Sequence, residues 1–152
     1  VYKDKVCELE IKVDHTFARA SNYDSNKITG EVWMMVLFAN DILISHDFDE
    51  DGVNDNVGIR IKNITIYSDQ YDPNYLLKDE RYVPLELLSL VAKNVMDDSC
   101  LEVWLTNRDI RSGTVVTSGL AFKGNPRYNR GICAVLRKNK EGETVKHNKC
   151  TL

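Results

Sequence analysis

Cys7-Glu8-Leu9-Glu10-Ile11-Lys12-Val13-Asp14 alternates apolar and polar residues along its whole length. A period of two predicts a β-strand with one buried face. Downstream the period changes. Ile28, Val32, Met35, Val36, Ala39, Ile42 and Leu43 recur at spacings of three and four. That pattern predicts one apolar helical stripe over Asp24 to Ser45, capped by Ser25 or Asp24. Ile59-Arg60-Ile61 and Ile64-Thr65-Ile66-Tyr67 then read as a second strand, its phase slipping at Lys62-Asn63 as at a bulge. Asp69 to Arg81 reads as loop. Pro84 opens a second helix carrying Leu85, Leu88, Val91, Ala92 and Val95, which ends near Asp97-Asp98. Cys100 to Leu105 is a third strand, and Val115-Val116 and Gly119-Leu120-Ala121-Phe122 supply more. Gly124-Asn125-Pro126 turns the chain, and the basic, polar stretch Arg137 to Lys149 reads as loop. The expected fold class is α/β: a twisted, mixed, mostly parallel sheet crossed by two main helices.

The 152 residues fit one domain, 1–152, and suffice for a real core. Hydrophobic residues are 43% and charged residues 28%, which makes disorder, collagen and coiled coil poor readings. The net charge of −3 and a pI near 5.6 argue against nucleic acid or anionic membrane as the main partner. The longest apolar run, Val32 to Ala39, is broken by Asn40-Asp41, well short of the ~18 residues that span a bilayer.

Cys7, Cys100, Cys133 and Cys150 suit two disulfides, with four buried free thiols as the cytosolic alternative. None is paired as C-x-x-C, which argues against a zinc ribbon or thioredoxin motif. The sequon Asn63-Ile64-Thr65 makes Asn63 a glycosylation candidate and leans toward an extracellular or secretory location. The N-terminus has no signal-peptide pattern, so a secreted form is expected to start after processing.

Catalytic patterns are sparse. His15, His46 and His147 do not lie within one helical turn of one another, so the two-histidine zinc helix is absent and each histidine reads as a surface or capping residue. There is no G-x-S-x-G, and no phosphate-binding glycine loop. The sharpest local signal is Asp47-Phe48-Asp49-Glu50-Asp51-Gly52-Val53-Asn54-Asp55, which fits D-x-D-x-D-G-x-x-D. Asp47, Asp49, Asp51, Asp55 and the Val53 carbonyl form a candidate calcium set of the weak extracellular type, against a plain solvated acidic loop. The twelfth loop position is Gly58 rather than the glutamate of an EF-hand.

Four segments in order resemble the N-terminal part of the catalytic domain of ADAM-type zinc metalloproteases, sheddase group. They are Cys7-x-Leu9-x-Ile11-x-Val13-Asp14-His15-x-Phe17, Gly58 to Ile66, Val95 to Leu105 with Cys100, and Gly119 to Arg127 followed by Gly131-Ile132-Cys133. The resemblance implies a zincin-like upper subdomain and a disulfide from Cys7 to Cys100. It also implies that Gly119, Leu120 and Ala121 lie on the edge strand that pairs with an extended polypeptide substrate. The family's zinc-binding helix, H-E-x-x-H-x-x-G-x-x-H, does not occur in these 152 residues. Zinc is therefore expected only in a complete family member, and this chain alone is expected to be inactive. In the family the cysteine matching Cys133 pairs far downstream; here Cys150 is the remaining candidate.

Two readings follow from the resemblance. The chain is either the scaffold and substrate-pairing part of an ADAM-like metalloendopeptidase, or a secreted, catalytically dead derivative acting as binding protein, inhibitor or decoy. An unrelated calcium-binding adhesion module is the third and weakest reading.

Overall fold

A computed structural model describes residues 5–48, 50–79, 81–93, 99–123, 137–138, 142–145 and 149–151. The alternating segment forms strand β1, Lys5–Val13. It pairs in parallel with β2, Val57–Ile66, on one side and with β3, Leu101–Leu105, on the other. The register against β2 slips between Leu9 and Glu10: Leu9 faces Ile61 and Glu10 faces Asn63, so Lys62 is the extra residue of the expected bulge. β9, Lys149–Thr151, continues the sheet in parallel beside β3, and β6, Leu120–Ala121, closes it antiparallel to β9. The order is β2-β1-β3-β9-β6, a mixed and mostly parallel sheet.

Parallel strands require crossovers, and helices supply them. Between β1 and β2 run α1, His15–Ala20, and α2, Ser25–Ile44; α3, Pro84–Ala92, joins β2 to β3. Asp24 is the cap of α2, accepting from the Asn26 and Lys27 amides at 3.0 and 3.1 Å. Pro84 occupies the first turn of α3, where its missing N–H costs nothing. The strand pleat sorts side chains to two faces. Leu9, Ile11, Val13, Val103 and Leu105 pack against Ile28, Val32 and Val36 of α2. On the other face Trp104 packs with Leu87, Leu88 and Val91 of α3 and with Tyr75 and Leu77.

β1 thus has two buried faces, where its alternation suggested one. Glu10 and Lys12, 5% and 2% exposed, are covered like their apolar neighbours. They are tolerated because they satisfy each other: Lys12 Nζ donates to Glu10 Oε1 at 2.9 Å and to Thr65 Oγ1 at 3.1 Å. A strand central in a parallel sheet is covered on both sides, so its polar positions enter the interior as pairs.

The stretch expected as loop from Arg137 to Lys149 differs too. It contains β7, Arg137–Lys138, and β8, Thr144–Val145, which form an antiparallel pair, and it reaches the start of β9. Ladder bonds are backbone bonds, so two- and three-residue strands can form without an apolar pattern to announce them. Val115-Val116 is strand as expected, in β5, Val115–Thr117, and it hairpins with β4, Ile110–Ser112. The two-residue connection places Gly113 at φ +62, the left-handed conformation that a tight hairpin turn demands.

β2 is the long edge of the sheet, and Asn40 of α2 covers part of it. Its Nδ2 donates to the Ile59 carbonyl at 2.8 Å, and its Oδ1 accepts the Ile59 amide at 2.7 Å. The carboxamide stands in for a neighbouring strand at that residue, a protection exposed edges need.

Cys7 and Cys100 form a disulfide over a sequence separation of 93. It joins β1 to the residue preceding β3, beside the Cys100 amide bond to the Glu8 carbonyl at 3.0 Å. Cys133 lies outside the described residues, as do the side chain of Cys150 and the helix end near Asp97-Asp98. Replacing Cys100 with Ser is expected to cost about 4–5 kcal/mol in a denaturant titration, the loop-entropy value for roughly 100 residues. Asn40→Ala is expected to cost about 1–3 kcal/mol in the same titration, because two backbone groups lose their partner.

Candidate functional site

The sheet margin around β6 is built from the hairpin that precedes it. Ile110 is buried against Trp104 and Leu77, which fixes the start of β4. Two residues after β5 the chain reaches Gly119 and then β6. Leu120 and Phe122 are half-buried on the Trp104 and Leu87 cluster, while Gly119 and Ala121 are exposed. Period two therefore roots the strand through alternate side chains and leaves the intervening positions at the surface. Leu120 faces Thr151 and Ala121 faces Cys150 in the ladder. β6 stands last in the strand order, with β9 as its one pairing neighbour among the described residues.

The floor under this margin is aromatic. Tyr67 stacks on Trp104 with centroids 5.8 Å apart and lies 4.9 Å from Tyr75. Burial raises the pKa of Tyr67 and of Tyr82, so both phenols are neutral near pH 7. Trp104 Nε1 donates to Glu102 Oε1 at 2.5 Å, which satisfies a fully buried carboxylate oxygen.

The C-terminal end of the sheet is closed by a charged knot. Asp14 follows β1, caps α1 by accepting from the Thr16 and Phe17 amides, each at 2.9 Å, and pairs with Arg108. Both side chains are fully shielded from solvent. Arg108 also donates to the Tyr75 hydroxyl at 3.0 Å and to the carbonyls of Leu77 and Asp79 at 2.5 and 3.0 Å. Desolvation pulls the guanidinium pKa down to about 10, which still leaves it charged at neutral pH. In open α/β sheets the carboxyl ends of the strands are where ligands settle; here Arg108 fills that place with protein.

His15 corrects the surface expectation. It is 3% exposed, and its Nδ1 lies 2.8 Å from the Tyr75 hydroxyl. As the first residue of α1 it is turned inward by the same knot. His46 is exposed, edge-on to Phe48 at 4.5 Å, and His147 lies outside the described residues.

The acidic loop uses its carboxylates on its own backbone. Asp47 Oδ2 accepts the Gly52 amide at 2.7 Å, Asp51 Oδ1 the Val53 amide at 2.8 Å, and Asp55 Oδ2 the Phe48 amide at 2.8 Å. Gly52 sits at φ +88, as the sharp turn requires. Asp49 lies outside the described residues. Among the described residues no group of three or more His, Cys, Asp or Glu side chains could hold a metal ion. Asn63 is exposed on β2, with Nδ2 donating to Glu10 at 2.8 Å.

One further opening lies on the α2 face of the sheet. It is a cleft of about 290 Å³ lined only by apolar side chains, among them Leu9, Ile11, Met35, Leu43, Leu101 and Val103.

Neither a family model nor a curated protein matches this chain. No helix among the described residues is long and apolar enough to cross a membrane.

Arg108 and the Asp14 knot escaped sequence reading because a lone arginine in Asn107-Arg108-Asp109 looks solvated. Arg108→Met is expected to destabilise the fold by about 3–5 kcal/mol, since Asp14 is left buried and unpaired. A double mutant with Asp14→Asn should recover part of that loss in a denaturant-based cycle.

Proposed function

We propose that the chain is the scaffold and substrate-pairing part of an ADAM-like zinc metalloendopeptidase domain, a zincin-like upper subdomain without a catalytic centre of its own. The observation that carries this reading is the margin strand. Leu120–Ala121 ends a mostly parallel, Cys7–Cys100-stapled sheet, rooted by Leu120 and Phe122 and exposed at Gly119 and Ala121. An extended polypeptide laid along it gains main-chain hydrogen bonds, and exposed side-chain positions beside the ladder set preference.

The apolar cleft supports the same reading. Both faces of a parallel sheet need cover, and the cleft lies between α2 and apolar side chains of β1, β2 and β3, among them Leu9, Ile59 and Val103. Apolar side chains from a neighbouring element of a complete family domain would match its size and lining. Among the described residues no group of three or more His, Cys, Asp or Glu side chains could hold a metal ion. No catalytic step is therefore assigned to this chain. The disulfide is compatible with an extracellular location, where glycosylation of Asn63 would have to replace its Nδ2 bond to Glu10.

The test is fluorescence anisotropy with labelled extended decapeptides methylated on alternate backbone nitrogens. Methylation in one phase is expected to weaken binding about fivefold per lost hydrogen bond, and in the other phase to leave it nearly unchanged. Gly119→Pro should weaken binding of the unmethylated peptide. Indifference to methylation phase would remove the margin as a peptide site. Peptide turnover by the 152 residues supplied with zinc would refute the absence of a catalytic centre.

A further inference from the structure

α2 buries Ile28, Val32 and Val36 against the sheet. Its opposite stripe is Lys27, Gly30, Met34, Leu37, Asp41 and Ile44, spaced three and four apart, and all six are exposed. A solvent-facing stripe should be polar, yet Trp33, Met34, Leu37, Phe38 and Ile42 are 51%, 51%, 52%, 62% and 67% exposed. Together they present on the order of 600 Å² of apolar surface, at the upper end of what monomers carry.

The arrangement is self-complementary about Met34. Lys27 and Asp41 stand equally far from it along the helix, and so do Gly30 and Phe38. A Cβ placed on Gly30 would meet nothing within 4 Å, so the glycine leaves a gap in the surface. Phe38 is the most exposed aromatic of the helix. Laid antiparallel on its own copy, α2 sets Phe38 into the gap at Gly30 of the other copy. It also brings Lys27 to Asp41 of that copy, each contact occurring twice.

We propose that this face of α2 is the two-fold interface of a homodimer, with the helices antiparallel and crossing at Met34. Met34, Leu37 and Phe38 at the centre of the face supply roughly 300 Å² of the ~800 Å² per copy that a standard interface needs, Trp33 and Ile42 flank it on either side, and the Lys27 and Asp41 ends extend it. The charged pair fixes direction, because a parallel pairing would set like charges together. The proposal is independent of the peptide-binding reading: the cleft meets α2 at Val32, Met35 and Ala39, on the helix's inner side.

Sedimentation of the disulfide-intact chain tests it. A dimer is expected at about 100 µM, and Phe38→Glu should give a monomer with unchanged circular dichroism. Lys27→Glu and Asp41→Lys should each weaken association roughly tenfold, and the double reversal should restore it. Met34→Cys should cross-link copies on mild oxidation. Asn26→Cys should not, since its symmetry mate would lie about 24 Å away along the axis. A monomer at that concentration, a dimer indifferent to Phe38→Glu, or cross-linking at Asn26 but not at Met34 would overturn the proposal. So would a monomeric chain that instead binds lipid vesicles through Phe38.

Discussion

A buried guanidinium needs a carboxylate, and the Arg108–Asp14 pair organises the end of this sheet on that ground. Asp14 ends β1 and starts α1; Arg108 follows β3; the carbonyls of Leu77 and Asp79 belong to the loop between β2 and α3. One side chain therefore fastens the exits of β1 and β3 to the loop between β2 and α3, where it satisfies the carbonyls of Leu77 and Asp79. The cost of burying two charges is offset only because every donor has an acceptor, so the knot is an all-or-none feature.

The disulfide works at the opposite end. Cys7 lies early in β1 and Cys100 just before β3, so the covalent link and the ion pair pin β1 to β3 near both ends. β9 and β6 are then added to a β3 that cannot shift register. That matters for any role of Gly119, Leu120 and Ala121, because a two-residue strand has little ladder of its own. Its position is inherited from Trp104 and the cluster beneath it.

Strong periodicity made β1, α2, the bulge at Lys62, α3 and β3 legible in the sequence, since each buries enough side chains to impose a pattern. α1 was invisible because six residues, His15–Ala20, are too few to show a period. β9 was hidden for a different reason: its pairing lies in backbone bonds, and a polar sequence serves those as well as an apolar one. His15, Glu10, Lys12 and Arg108 looked solvated because a single sequence shows a charge but never its partner. Of the candidate site, the margin residues were legible through resemblance and the acidic loop through its spacing. The apolar cleft was not, because it arises from how α2 and three strands pack, which no single segment shows.

The two unfilled apolar regions answer to different physics, and that separates the uses proposed for them. The cleft is concave, lies against the sheet and is bordered by Leu101 and Val103, so its natural complement is a few apolar side chains that complete the core. The outer stripe of α2 is interrupted by a glycine gap, carries Lys27 toward one end and Asp41 toward the other, and borders a groove beside β2 at Leu37, Asp41 and Ile44. Lys27 lies 3.9 Å from Glu31 on its own helix, and a second copy would add Asp41 to that pair, in the order that antiparallel symmetry dictates. The chain can therefore serve as a scaffold on one side of α2 and as a dimer on the other without the two surfaces competing.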